Sequence, residues 1–175
     1  MPPPPEPGRD APALQNEATA AVLDEVADLL ALDDANPFRV RAYRNAARLV
    51  RALSDDVTAF VAGGGDLTML PGVGADVAGK ILEIAATGRS ALLEDLRGRT
   101  PPVLVRLLRI PGLGPKRVST LYRELAVTSE ADLEDAARRG RIRGLFGFGV
   151  KTEQRILTAV TAHRAGARGS RATMS

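Results

Sequence analysis

Leu70-Pro71-Gly72-Val73-Gly74, Ile110-Pro111-Gly112-Leu113-Gly114 and Leu145-Phe146-Gly147-Phe148-Gly149 are three copies of one pattern. Each is an apolar residue, a spacer, then Gly-apolar-Gly, and each leads into a stretch of helical periodicity. Apolar pairs follow the second glycine at seven and eight residues: Ile81/Leu82, Leu121/Tyr122 and Ile156/Leu157. The first two copies add Ala78 and Val118 four residues after it; the third has Glu153 there, and Phe146 where the others have proline. Glycine tolerates positive φ and close backbone approach. A turn built this way hands the next helix N-terminus to the surface with its first amide groups unpaired. Such an end attracts a phosphate oxygen through those donors and the helix dipole. No base edge is read, so the expected result is sequence-independent contact with a nucleic-acid backbone. One Gly-x-Gly between helices is an ordinary tight turn, whereas three in register are an internal repeat.

Composition narrows the alternatives. A chain of 175 residues suits one or two small domains, and 45% apolar residues suffice for a packed core. Leu, Val, Ile and Ala must fill it, because tryptophan is absent and aromatics are few. Without cysteine there is no disulfide framework and no Cys-based zinc site. One histidine, His163, cannot build a metal cluster alone. No apolar run is long enough to cross a membrane, and the proline-rich N-terminus is no secretory signal. The expected setting is cytoplasmic, and the expected state a monomer.

The net charge of +3 hides a blockwise distribution. Residues 17–34 hold six acids and no base, and residues 37–53 hold five arginines and no acid. Residues 106–123 hold Arg106, Arg109, Lys116, Arg117 and Arg123 without an acid; residues 138–151 add Arg138, Arg139, Arg141, Arg143 and Lys151. The positive blocks coincide with the glycine turns or lie beside them, an electrostatic footprint for a polyanion.

The reading is all-α, in two small helical lobes. Residues 1–14 are expected to be a disordered proline-rich tail. A first lobe spans 15–98. Its first helix runs from Gln15 to Leu32 with Val22, Val26, Leu29 and Leu30 buried. Its second runs from Pro37 to Leu53, with Phe38, Ala42, Ala46, Leu49 and Leu53 on one side and a ridge of Arg41, Arg44, Arg48 and Arg51. A third helix covers Asp55 to Ala62, and Asp66 caps the turn into the first repeat. A second lobe spans 99–164. Pro102 starts a helix, Thr128 or Ser129 caps another, and the last ends near His163. Residues 165–175 are expected to be a flexible basic tail.

The repeat is the helix-hairpin-helix pattern, and the order of elements resembles something narrower. Asn36 to Ala47, with Tyr43 inside it, looks like the second helix of the N-terminal domain of bacterial family X DNA polymerases. Leu67 to Gly74 with Lys80-Ile81 resembles the hairpin that follows, a fold like the N-terminal domain of DNA polymerase beta. Leu108 to Lys116 resembles the hairpin of the fingers subdomain, and Gly147 to Glu153 the element that closes it. The resemblance covers roughly residues 15–160. It implies DNA as partner: a gapped, nicked or 5′-phosphorylated form, bound in repair, with a separate polymerase or repair protein as a further partner. The positions carried over are Arg39, Tyr43, Arg44, Gly72, Gly74 and Lys80 in the first lobe. In the second they are Gly112, Gly114, Lys116, Arg117, Gly147, Gly149 and Lys151. It also implies that no cofactor is required beyond Na⁺ or K⁺ held by hairpin carbonyls. Those would come from Thr68, Leu70 and Val73, and from Leu108, Ile110 and Leu113. The metal-binding aspartates of the family's palm and its histidine-rich phosphoesterase domain have no counterpart in this sequence, so nucleotidyl transfer is not expected.

Two other function classes stay open. Only Lys80, Lys116 and Lys151 among 24 cationic residues are lysine, all in hairpin segments. Lysine can lose its proton and attack a carbonyl, while arginine does not. Lys80 aligns with the Schiff-base lysine of the family's 5′-deoxyribose-phosphate lyases, with Tyr43 as stacking group, hydrogen-bonding support or packing. Asp76 and Gly79 depart from that pattern, since the family has a phosphate-binding lysine and a glutamate there. The remaining class is a helical scaffold for proteins, its acidic first helix facing a basic partner.

Overall fold

The structure is a computed structural model and describes residues 11–172. The described chain is helical throughout, with no strand, and divides into two compact units at Arg99/Thr100. The all-α expectation holds.

The first unit contains α1 (Ala11–Leu32), α2 (Pro37–Ala52), α3 (Val57–Ala62), a 3₁₀ turn (Leu67–Met69), α4 (Ala75–Thr87) and α5 (Ala91–Arg99). Helix α1 is its centre and packs on α2, α4 and α5. Leu23, Val26, Ala27, Leu29 and Leu30 of α1 are fully buried, with Val22 only partly so. They meet Tyr43, Ala46, Ala47 and Val50 of α2, Ile81 and Ile84 of α4, and Leu93 and Leu96 of α5. Each fully buried Leu or Ile contributes roughly 1.5–3 kcal/mol relative to exposure.

The buried stripe of α2 is rotated from the expected one. Phe38 is 74% exposed, Ala42, Leu49 and Leu53 are half-buried, and Tyr43, Ala47 and Val50 take the core. Ion pairs to α1 accompany this register. Arg51 forks onto Glu17 and also reaches Asp24 at 2.7 Å, while Arg44 pairs with Asp28 and Asp24. Arg97 clamps Glu25 at 2.7 Å, and Arg99 holds Asp33 at 2.9 Å. The acids of α1 therefore find their bases within the unit. This corrects the expectation of an acidic helix awaiting a basic partner, and it removes Arg44 and Arg51 from any free cationic ridge. The hydrogen bond from Arg51 holds the Glu17 carboxyl below its ordinary range, whereas burial pushes the Asp28 carboxyl up against the opposing pull of Arg44. Exposed pairs of this kind add little stability each, so their effect is mainly to fix which faces meet.

The start of α1 also differs. Residues 11–14, expected in the disordered tail, form its first turn; residues 1–10 lie outside the described residues. Helix continues because Asn16, in the second turn, is anchored. Its buried amide donates to the Asp55 carbonyl at 2.8 Å and accepts from the Val57 amide at 3.1 Å.

The second unit contains α6 (Pro102–Leu108), α7 (Pro115–Leu125), α8 (Glu130–Arg138) and α9 (Val150–Ala172). Helix α6 packs on α7 and α8 on α9. Leu107, Ile110, Val118, Leu121, Leu133, Ile142, Ile156 and Val160 form its core. Ser129 caps α8 through the Asp132 amide at 3.0 Å, and Asp132 reaches back to the Thr128 amide at 3.0 Å. Residues 165–172, expected as a flexible tail, continue α9 through two glycines, with 165–170 exposed; residues 173–175 lie outside the described residues. Ala165, Ala167 and Arg168 are good helix formers and carry the helix on past the packed part.

Asn16→Ala deletes both of its hydrogen bonds and leaves buried backbone groups unpaired. It is expected to destabilise the first unit by roughly 2 kcal/mol, read as a lowered urea midpoint, with Asn16→Asp recovering only the accepted bond.

Candidate nucleic-acid interface

The three glycine turns share one backbone. Gly72, Gly112 and Gly147 have φ of 76°, 87° and 79°. In each, the following apolar residue donates to the carbonyl three back: Val73 to Leu70, Leu113 to Ile110 and Phe148 to Leu145, all at 3.1 Å. The second glycine then accepts the first bond of the next helix, from Ala78, Val118 and Glu153, at 2.9 to 3.0 Å. Val73 and Leu113 are buried and pin their turns to the core.

The two glycines have different reasons to be there. The first holds a left-handed φ that a side chain would strain. The second does not: Gly74 and Gly114 are extended, at φ −86° and −89°. A Cβ at Gly74, Gly114 or Gly149 would meet nothing within 4 Å. The fold leaves that space open. It also withholds a cap, because neither α4 nor α7 has a side-chain hydrogen bond at its N-cap. Side chains cap four other starts, Asn36 at α2, Asp56 at α3, Asp66 at the 3₁₀ turn and Ser129 at α8, while α6 after Pro101 has none. The hairpin helices thus present bare amide donors to solvent, and such ends favour anions.

In the first unit, Asn45 fastens the hairpin to α2. Its amide donates to the Pro71 carbonyl at 2.7 Å, and a Cβ on Gly72 would come within 3.0 Å of it. Arg48 donates to the Asn45 side-chain oxygen Oδ1 at 2.6 Å. Arg39 is exposed. Lys80 is half-buried on α4 and has no hydrogen-bond or ion-pair partner among the described residues. Asp76 stands exposed in the first turn of α4, where it opposes an incoming anion. Tyr43 is 1% exposed and its hydroxyl has no hydrogen-bond partner. Burial pushes its phenol up, Asp76 and Glu83 add to the push, and Arg39 opposes it. Stacking on a base is closed to Tyr43; it is a packing residue whose hydroxyl lies in the field of Arg39 and Asp76. Thus α2 and α4 bring Arg39, Tyr43 and Asp76 together, while Arg44 is engaged with α1.

In the second unit, Arg117 joins two hairpins. It donates to the Gly112 carbonyl at 3.0 Å and lies 5.8 Å from the Phe148 ring centroid. Its position corresponds to Val77 and Thr152 in the other repeats. Lys116 and Lys151 are exposed. Lys151 and Arg155 line a groove of about 610 Å³ with Pro111, Gly112, Gln154 and Ala159. Arg106, Arg109, Lys116, Arg123, Arg141, Lys151 and Arg155 have no acidic partner among the described residues. Most acids of this unit are engaged: Glu134 by Arg138 and Arg164, Asp135 by Arg139, Glu130 by His163, and Glu153 by Arg143. Free positive charge therefore sits around the second and third hairpins.

Glu153, a departure from the repeat, is the brace of the third hairpin. It is 1% exposed and accepts from the Ile142 and Arg143 amides at 2.9 Å and from Arg143 Nε at 2.7 Å. A carboxylate at a position that is apolar in the sister repeats was the signal available in the sequence. Asn45 and the Arg117–Phe148 contact left no such signal.

A helix-hairpin-helix domain model matches residues 14–90, and a SAM-like helix-hairpin-helix tandem model matches residues 104–160. Helix-hairpin-helix models thus match a segment in each of the two compact units. The chain is also 37% identical over 139 residues, 79% of its length, to a DNA polymerase/3′-5′ exonuclease PolX of Bacillus subtilis. The chain spans 24% of that relative's length. The resemblance to the helix-hairpin-helix region of family X polymerases is thereby shown.

Burial pushes the Glu153 carboxyl up, but the hydrogen bonds and charge of Arg143 and the Ile142 amide outweigh it, and the net shift is below the ordinary 4.5. A depressed folded-state pKa means stability that is complete above the unfolded value and lost as pH falls through the folded one. Glu153→Gln is therefore expected to lower the melting temperature of the second unit at pH 7, by an amount equivalent to roughly 2 kcal/mol. The gap to wild type should close as pH drops below about 4.5. A gap that stays constant down to pH 2.5 would show that the charge is not what holds the brace.

Proposed function

We propose that this helix-hairpin-helix protein binds DNA without sequence preference, through the phosphate backbone, and favours a gap or nick bearing a 5′ phosphate, in repair. The observation that carries the reading is the pair of hairpin helices α4 and α7, each starting at a glycine with open space before it and no side-chain cap. The unpaired cations around the second unit's hairpins supply the long-range attraction. The relative's name, a DNA polymerase, supports the class of ligand. No base-reading element is implied by amide donors and arginines alone.

A monovalent cation fits the hairpin donor set. The carbonyls of Thr68, Leu70 and Val73, and of Leu108, Ile110 and Leu113, are hard neutral oxygens, and no cluster of three His, Cys, Asp or Glu exists among the described residues to hold a divalent metal instead. Bound there, Na⁺ or K⁺ would supply positive charge shared with a phosphate oxygen. The chain's own residues fix the turn: Gly72 and Gly112 by their φ, Val73 and Leu113 by burial.

Fluorescence anisotropy on labelled gapped, nicked and continuous duplexes tests this. Affinity is expected to fall with salt, with a log–log slope of roughly −0.9 per phosphate neutralised, and to be highest for the 5′-phosphorylated gap. Replacing K⁺ by tetramethylammonium at equal ionic strength should weaken binding further. Gly114→Asp supplies the missing cap, so it should hold or raise the melting temperature while weakening DNA binding about tenfold. A salt-independent affinity, or a Gly114→Asp variant that binds as wild type, would contradict the reading.

One observation favours a second activity. Lys80 is half-buried and free of any carboxylate partner, on the helix that also bears Asp76 beneath Tyr43's field. A neutral amine there could attack the aldehyde of an abasic sugar and release the 5′ phosphate by β-elimination. Borohydride trapping on 5′-deoxyribose-phosphate DNA should give an adduct that Lys80→Ala abolishes. An adduct undiminished in that variant would exclude Lys80 as the principal nucleophile.

A further inference from the structure

The third hairpin carries an aromatic side chain with nothing to do inside the protein. Of the four phenylalanines in the sequence, Phe60 folds against Gly65, Phe148 lies under Arg117, and Phe38 carries Arg41 over its ring at 4.6 Å. Phe146 is 100% exposed and has no ring contact among the described residues. It occupies the spacer position held by Pro71 and Pro111 in hairpins of the same backbone. The turn therefore does not need a ring, and a small rigid residue serves twice.

Its surroundings identify the partner. Gly144, Gly147 and Gly149 lie on either side in the chain, and Cβ atoms at Gly147 and Gly149 would meet empty space. Arg141 and Lys151 flank this segment as free cations, and α9 begins four residues on. A protein interface would pack further apolar side chains around such an anchor into a contiguous core, leaving polar groups for its rim. Among the described residues the large exposed apolar neighbour along the chain is Val150 alone. A single aromatic face among glycines, cations and amide donors fits a nucleotide whose phosphate takes the donors and whose base takes the ring. Only an unpaired base offers its face freely, and base–aromatic stacking tolerates any sequence.

We propose that Phe146 stacks on an unpaired nucleobase and is the residue by which the second unit distinguishes single-stranded or gapped DNA from a continuous duplex. This rests on the reading of the chain as a DNA binder and adds to it a specificity-determining contact.

The absence of tryptophan makes the test direct. Phe146→Trp installs a sole indole in the full chain. Its emission should be quenched by 5′-phosphorylated single-stranded or gapped DNA and left unchanged by a continuous duplex at saturating concentration. Phe146→Ala, harmless to folding because the ring touches nothing, should lose about tenfold in affinity for gapped DNA and less than twofold for the continuous duplex. Saturable binding with unquenched emission, or an equal loss on both DNAs, would overturn the stacking proposal while the broader reading stands. Quenching by the continuous duplex as strongly as by the gap would also overturn it, since the ring would then be a wedge. No anisotropy change on any DNA with the wild-type protein would overturn the broader reading and this proposal together.

Discussion

The surface chemistry depends on a division of labour between two glycines. The first, at left-handed φ, turns the chain sharply enough for its apolar neighbour to bury. The second, at ordinary φ with open space before it, leaves a helix end without a cap. A fold optimised for stability alone would place Ser, Asp or Asn there, as it does at α2, α3 and α8. Capping is worth about 1 kcal/mol per helix, so the bare ends represent stability forgone. Function is the natural beneficiary of such an omission, because an anion can take the place of the cap.

The two units use this device in different electrostatic settings. In the first, arginines of α2 and α5 are spent on the acids of α1, and Asp76 stands at the hairpin helix itself. The hairpin there is positioned by a hydrogen bond from Asn45 rather than surrounded by charge. In the second, most acids lie on α8 or, as Glu153, are locked to an arginine, and free cations remain beside the turns. Long-range attraction to a polyanion therefore belongs mostly to residues 100–172, while the first unit is better described as a pre-shaped backbone contact.

Much of this was legible in the sequence, for physical reasons. The Gly-x-Gly repeats were readable because positive φ and close approach leave glycine few substitutes. Helices were readable from their period, and Asp66 from its capping chemistry. The register of α2 was not, because Phe38 fits an apolar stripe as well as Tyr43 does, and which of them meets α1 depends on a long-range packing angle. The helical state of residues 11–14 and 165–172 was also hidden. Proline and glycine counts argue for disorder there, whereas Asn16 and the alanine-arginine stretch favour helix. Tyr43 was open between surface and core, and burial at 1% closes the question. Glu153 looked like a defect in the third repeat because a single sequence does not show the two amides that a carboxylate will meet.

The most direct measurement is a ¹⁵N–¹H correlation titration of the full chain with a 5′-phosphorylated gapped duplex, following each backbone amide. The account requires the largest shifts at the open helix ends: residues 75–77, Lys116 and Arg117, and residues 150–152, with the amides of α8 and of the acidic face of α1 nearly still. Shifts concentrated on α8 or α1, or hairpin amides that stay fixed while the DNA binds, would contradict it.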